Sequence, residues 1–242
     1  MNRYWNLGLE ALVFLMCVGA ANAACVIPFD GMKVTGDTEL CPGMYNLSDP
    51  GLDGVIAFDA GNVTLNGNNA VLIGDGKGIG ITNDGHDAVR IKNCTVRGYD
   101  RGISLAGGLY HQLVYNSVEE CTIGIFLDSA ARTDLIANTV RYCLYDGIYL
   151  NQASSATLTG NDACANIEWD INAFGGMNNK GSQNRCNVSK GWNDTGVAKG
   201  CEYSCAVCKD YDADGVCDGT DNCQFIDNPT QSDSDGDKVG DL

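Results

Sequence analysis

Between positions 210 and 221 aspartate recurs at intervals suited to a hard cation. Asp210, Asp212 and Asp214 alternate, Gly215 follows, and Asp218 and Asp221 complete the run. Alternation turns three carboxylates to one side, the glycine permits a sharp turn after them, and the Val216 carbonyl adds a neutral oxygen. Calcium gathers about six to eight such oxygens. Asp233, Asp235, Asp237 and Asp241 begin a second set. Calcium is therefore the expected cofactor, and these residues are its expected ligands. A solvated acidic tail is the plainer alternative, but disorder does not require regular spacing. The segment from Lys209 to Leu242 holds ten Asp, no Glu and two Lys, so half of the chain's net charge of -16 sits there. A chain this acidic repels the phosphates of nucleic acid, which argues against nucleic acid as a partner.

Two other groupings bear on chemistry. Asp84, His86, Asp87, Arg90 and Lys92 form the densest polar cluster, with Asp100 and Arg101 beyond it. Polysaccharide lyases, hydrolases and epimerases need an acid, a base or paired carboxylates on one face. Ile91 falls on an inward-facing position, however, so its neighbours Arg90 and Lys92 simply face water, and a non-enzymatic reading is preferred. Phe126 and Tyr149 are expected to stack outward as a two-aromatic stripe flanked by Ser104 and Asn172, where a sugar ring could lie. Ordinary stacking on a sheet is the alternative. His86 and His111 are the only histidines, which leaves copper with few ligands.

The elements that position these residues follow from a repeat. Gly80-Ile81, Gly102-Ile103, Gly124-Ile125 and Gly147-Ile148 are spaced by 22, 22 and 23 residues, and Asp170-Ile171 closes the series with the glycine replaced. Two more columns keep step: Ile91, Leu113, Leu135, Leu158 and Val96, Val118, Val140, Ala163. A fixed period of this length marks a solenoid, whose units bury their apolar faces only against each other. Leucine-rich repeats share the period but need more leucines. Here each unit holds about three short alternating runs bounded by Gly, Asn, Asp and Ser, which read as strands. The predicted fold is all-β: a right-handed parallel β-helix solenoid followed by a small calcium-binding, disulfide-containing C-terminal tail. Asn116, Asn138 and Asn161 occupy one turn position, and a hydrogen-bonded ladder is expected, starting imperfectly at Cys94. Arg97, Glu119 and Arg141 suggest a cross-strand charge ladder. Trp169, Phe174 and Trp192 are expected to plug the far end as apolar caps, with an aromatic sugar platform as the alternative.

Residues 1–23 have the marks of a signal peptide: Arg3, an apolar run from Ala11 to Ala20, and Ala21-Asn22-Ala23 before the cleavage point. No other transmembrane segment is expected in the mature chain. Thirteen cysteines are present, and removal of Cys17 with the leader leaves an even number, as expected of disulfides in an oxidising compartment. Cys25 and Cys41 are expected to pair. Cys121 and Cys143 share a place in adjacent coils and either bridge or stack. Cys217 and Cys223 are candidates for a staple in the tail. The expected division is a leader over 1–23, an N-terminal cap over 24–50, the β-helix with its C-terminal cap over 51–207, and the acidic repeat over 208–242.

Two family resemblances follow. AVRIKNCTVRGYDRGISL, ANTVRYCLYDGIYL and TLTGNDACAN resemble the β-helix repeats of the pectin-lyase-like superfamily, including its NosD-like, copper-associated periplasmic group. Arg90-Ile91-Lys92 resembles a tripeptide of pectin-degrading hydrolases, but the paired Asp and Gly-flanked His of those enzymes are absent. Residues 210–223 resemble the thrombospondin type 3 calcium repeat, D-x-D-x-D-G-x-x-D-x-x-D-N-C, and 228–237 continue its pattern. Gln224 and Lys238 depart from it, where the family has proline and glycine. That resemblance implies calcium binding, an extracellular structural role and further sequence beyond Leu242. The combined expectation is a secreted or cell-surface, alternatively periplasmic, protein with a structural, adhesive or glycan-binding role. The enzymatic alternative acts on uronic-acid polymers.

Overall fold

The computed structural model describes residues 25–205, together with 222, 223 and 232. The chain winds as a solenoid of short strands, and every strand pairs in parallel with its equivalent one coil away. Three sheets run along it. Sheet 1 has eight strands: Met32–Val34, Ile56–Phe58, Ile79–Asp84, Arg101–Ala106, Ile123–Asp128, Asp146–Asn151, Trp169–Phe174 and Ser189–Lys190. Sheet 2 has seven, from Thr38–Glu39 through Arg90–Lys92 and Gln112–Val114 to Lys180–Ser182. Sheet 3 has six, from Gly43–Asn46 to Asp162–Cys164.

The three apolar columns face inward as their period predicts. Ile103 registers with Ile81 and Ile125, Leu113 with Ile91 and Leu135, and Val118 with Val96 and Val140. All of these side chains are fully buried in one continuous core. Each contributes on the order of 2 kcal/mol of transfer free energy. The glycine before each isoleucine is required by close approach. A Cβ at Gly102 or Gly124 would sit 2.3 Å from Cγ1 of Val118 or Val140. Asp170 replaces this glycine where the next coil ends, and its carboxylate caps Asn166, Asn187 and Val188 backbone amides at 3.2, 2.8 and 3.1 Å.

The asparagine ladder is present and longer than expected. The Nδ2 groups of Asn116, Asn138 and Asn161 donate to the Oδ1 atoms of Asn138, Asn161 and Asn184, each at 2.9 Å. Each Nδ2 also donates to a carbonyl of the sheet 2 strand one coil earlier, those of Ile91, Leu113 and Leu135. Asp194 ends the ladder by accepting from Asn184 at 2.7 Å. Cys94 begins it, its amide donating to Asn116 Oδ1 at 3.1 Å.

Several expectations are corrected. Residues 32–46 form a complete first coil paired with the second rather than a separate cap over 24–50. Its register spacing to the next coil, Met32 to Ile56, lies outside the later period, which hid it. Cys25 and Cys41 do pair. Cys121 and Cys143 do not bridge: both are buried thiols stacked in the core, like Cys94. Burial pushes the Cys121 thiol up to about 11 and Cys143 to about 12. Cys164–Cys205 and Cys186–Cys201 form the other disulfides among the described residues. Cys217 lies outside those residues, as do the leader and every expected calcium ligand. Arg141 registers with Glu119 but pairs with Asp162 at 2.8 Å, while Glu119 accepts from Ser117. Of the three aromatic residues expected to plug the end, only Trp192 enters the core; Trp169 and Phe174 belong to the outward face of sheet 1.

Candidate functional site

Strands of sheet 1 run to six residues, longer than those of the other sheets, and so carry the broadest outward face. Inward Ile125 and Leu127 leave Phe126 between them pointing out, and the alternation repeats in neighbouring coils. One outward column reads Ser104, Phe126, Tyr149, Asn172 and Lys190 in strict register. The Phe126 and Tyr149 rings lie 5.3 Å apart at 48°. The stacking expected from the spacing is present, with Phe126 only 7% exposed.

The structure adds residues on both sides of it. Arg101 lies 4.4 Å from the Phe126 ring centroid. Trp169 registers with Asp146, and Lys190 Nζ sits 5.6 Å over its ring. Asn172 Nδ2 donates to Asp146 Oδ2 at 3.1 Å. Asp146 and Asn172 are only 6% and 8% exposed, and the Oδ1 of each is buried without a hydrogen-bond partner among the described residues. Burial pushes the Asp146 carboxyl above the usual carboxylate range. Glu168 adds to that shift, whereas the Asn172 amide and Lys190 oppose it. Asp146 is missing from the expected site because it sits just before a Gly-Ile pair, where the other coils carry Arg101 and Ile123. Its role becomes visible only when Asn172 and Trp169 arrive from the next coil.

The polar cluster of the sequence is divided by the structure. Asp84 ends a strand of sheet 1 and is exposed; His86 and Asp87 lie in the following turn; Arg90 and Lys92 are on sheet 2. Asp87 Oδ1 accepts from the Leu109 amide at 2.9 Å, and its carbonyl accepts from Asn62, which makes it a turn clamp. The His86 carbonyl accepts from Asn83 at 3.1 Å. Among the described residues no ion pair joins any of the five, and no group of three His, Cys, Asp or Glu side chains is placed to hold a metal.

One further polar group was not foreseen. His111 is fully buried, its Nε2 3.1 Å from the Gly107 carbonyl. Its Nδ1, Thr133 Oγ1 and Asn83 Oδ1 are buried without partners among the described residues. The column Val89, His111, Thr133, Ala156 carries no repeated residue type that would announce it.

The parallel coils and their three sheets define a β-solenoid. The family model described as the right-handed β-helix region matches residues 44–190, and the chain belongs to that family. No curated protein and no solved structure matches it.

Proposed function

We propose that the protein is an exported β-helix module that binds a polysaccharide across the outward face of sheet 1, with calcium held by its C-terminal segment. The observation that carries the reading is the pair of partly exposed rings, Tyr149 and Trp169, beside the Asp146–Asn172 pair; Phe126, 7% exposed, packs beneath Arg101 and backs Tyr149. Aromatic faces accept the C–H faces of sugar rings, and the buried carboxyl–amide pair holds the edge of the stripe in place. The three disulfides among the described residues are compatible with an extracellular location and with the leader read at 1–23. No helix among the described residues is long and apolar enough to cross a membrane. The calcium half of the reading rests on the spacing of Asp210, Asp212, Asp214, Asp218 and Asp221. A binding role is preferred over turnover because the polar cluster that would serve an enzyme is spread over two sheets and a turn.

A panel of immobilised polysaccharides, probed with the full mature chain with and without calcium, tests both halves. At least one uncharged glycan is expected to bind, and Tyr149→Ala to weaken it about tenfold or more. Calcium is expected to give a saturable calorimetric signal. Binding untouched by Tyr149→Ala would remove the stripe from the account, and absence of calcium heat would remove the metal.

A further inference from the structure

We propose that the exported chain is a substrate for N-glycosylation, and that Asn46 and Asn62, on its first two coils, are the acceptors. The inference rests on the export read from residues 1–23. Five tripeptides have the form Asn-x-Ser/Thr with x other than proline, beginning at Asn46, Asn62, Asn93, Asn187 and Asn193. Asn228-Pro229-Thr230 has the outer residues but the forbidden proline between them.

The fold sorts the asparagines. Each of the five is exposed. Asn83, Asn116, Asn138, Asn161, Asn166, Asn172 and Asn184 are buried, and none of them begins such a tripeptide. Strand alternation gives the reason. A ladder asparagine is followed two residues on by an inward side chain, Val118 after Asn116 and Val140 after Asn138, where a hydroxyl would be buried. In the exposed tripeptides it is the middle residue that turns inward. Val63 and Cys94 are buried and Leu47 packs against the core, so the asparagine and the hydroxyl residue flank it on the outer side.

Side-chain commitments single out two of the five. Asn93 Nδ2, the atom that would carry the sugar, donates to Asn66 Oδ1 at 3.1 Å. Asn187 follows the Cys186–Cys201 disulfide, and its Oδ1 accepts from the Cys205 amide at 2.9 Å. Asn193 Oδ1 accepts from the Gly200 amide at 2.7 Å. Asn46 and Asn62 are held through the backbone instead. Asn46 registers with Ile73, and the Asn62 amide donates to the Asp87 carbonyl at 2.9 Å. Among the described residues neither side chain has a hydrogen-bond partner, so both Nδ2 atoms are open. Asn62 occupies a left-handed turn with φ of 57°, which asparagine tolerates. Asn46 ends Gly43–Asn46, the edge strand of sheet 3, where a bulky, hydrated substituent obstructs pairing with a second chain. Neither residue is on sheet 1, so the aromatic stripe stays uncovered.

The donor is an oligosaccharide joined through its anomeric carbon to a lipid phosphate. Asn Nδ2 attacks that carbon, and the C–N bond forms as the C–O bond to phosphate breaks. The lipid phosphate leaves with the bonding pair, and one Nδ2 proton passes to a base of the transferase. The Ser or Thr hydroxyl two residues on is the part of the tripeptide that the transferase reads.

The test is peptide sequencing by electron-transfer mass spectrometry on the mature protein recovered from the cells that export it. Sugar mass is expected on Asn46 and Asn62, with Asn116 and Asn228 bare. Ser48→Ala and Thr64→Ala should each remove the sugar from the asparagine two residues before, and Ser48→Thr should keep it. Bare Asn46 and Asn62 on a chain that begins at Ala24 would overturn this proposal alone. Bare asparagines on a chain that keeps its leader would overturn the export reading and this proposal with it. Sugar that survives the alanine substitutions, that sits on hydroxyls, or that is found on the other three tripeptides but not on these two would also overturn it.

Discussion

His111 shows how one residue makes the fold sensitive to acid. Burial lowers its pKa from 6.5, against smaller opposing contributions from the Gly107 and Gly108 backbone and Asp87. The folded state therefore holds the neutral ring, while the unfolded chain takes up a proton near its ordinary value. Stability from this residue is complete above pH 6.5 and is lost as pH falls below it toward the lowered folded value. His111→Val, which copies Val89 one coil earlier in the column, should flatten the loss of thermal stability between about pH 6.5 and 5. Parallel acid limbs in the two proteins would show that other groups set the acid response. Asp146 has the opposite sign. Its raised pKa gives stability at low pH that is lost as pH rises through the folded value.

At the scale of the element, the Gly-Ile turn decides how tightly a coil closes. Gly124 has no room for a methyl group: its Cβ would meet Val140 Cγ1 at 2.3 Å and the Gly147 carbonyl at 2.6 Å. Gly160 also lies in a turn, with φ of 65°, but nothing stands within 4 Å of its Cβ position. Gly124→Ala should cost about 2 kcal/mol through overpacking. Gly160→Asn should change stability by no more than about 0.5 kcal/mol, because asparagine tolerates that turn. Denaturant unfolding distinguishes the two. Equal losses would mean that backbone freedom, rather than contact with the next coil, selects these glycines.

For the whole molecule, the ends are the weak points, since a terminal coil has a neighbour on one side only. Disulfides are found there. Cys25–Cys41 ties the first coil, and Cys164–Cys205 and Cys186–Cys201 tie the last turns beside Trp192 and Asp194. Each closed loop contributes on the order of 3 kcal/mol in a chain-entropy account. The middle relies instead on packing and the asparagine ladder, and its three thiols are shut in the core. Native protein at pH 8 should therefore leave Cys94, Cys121 and Cys143 unlabelled by iodoacetamide, and mild reduction should expose the terminal strands to hydrogen exchange before the central ones. Rapid labelling of all three in the native state would contradict the burial, and uniform exchange after reduction would deny the ends their special dependence on disulfides.

By itself the sequence determined the solenoid, because every coil must meet the same inward demand. Ile125 and Ile148, or Leu113 and Leu135, repeat since each buries against its equivalent in the next coil. The asparagine ladder was legible for the same reason, and the register of the inward isoleucines set Phe126 opposite Tyr149 on the outward face. Where the demand is not repeated, the pattern falls silent. The first coil escaped notice because its register spacing differs, and the pairing of Cys164 with Cys205 joins segments far apart in the chain. Only the tertiary structure brought Asp146 to Asn172 and Trp169, and gave Arg141 to Asp162 instead of Glu119. Outward side chains acquire neighbours through coil register and turn conformation, which act between residues more than twenty positions apart and leave no periodic trace in the residues themselves.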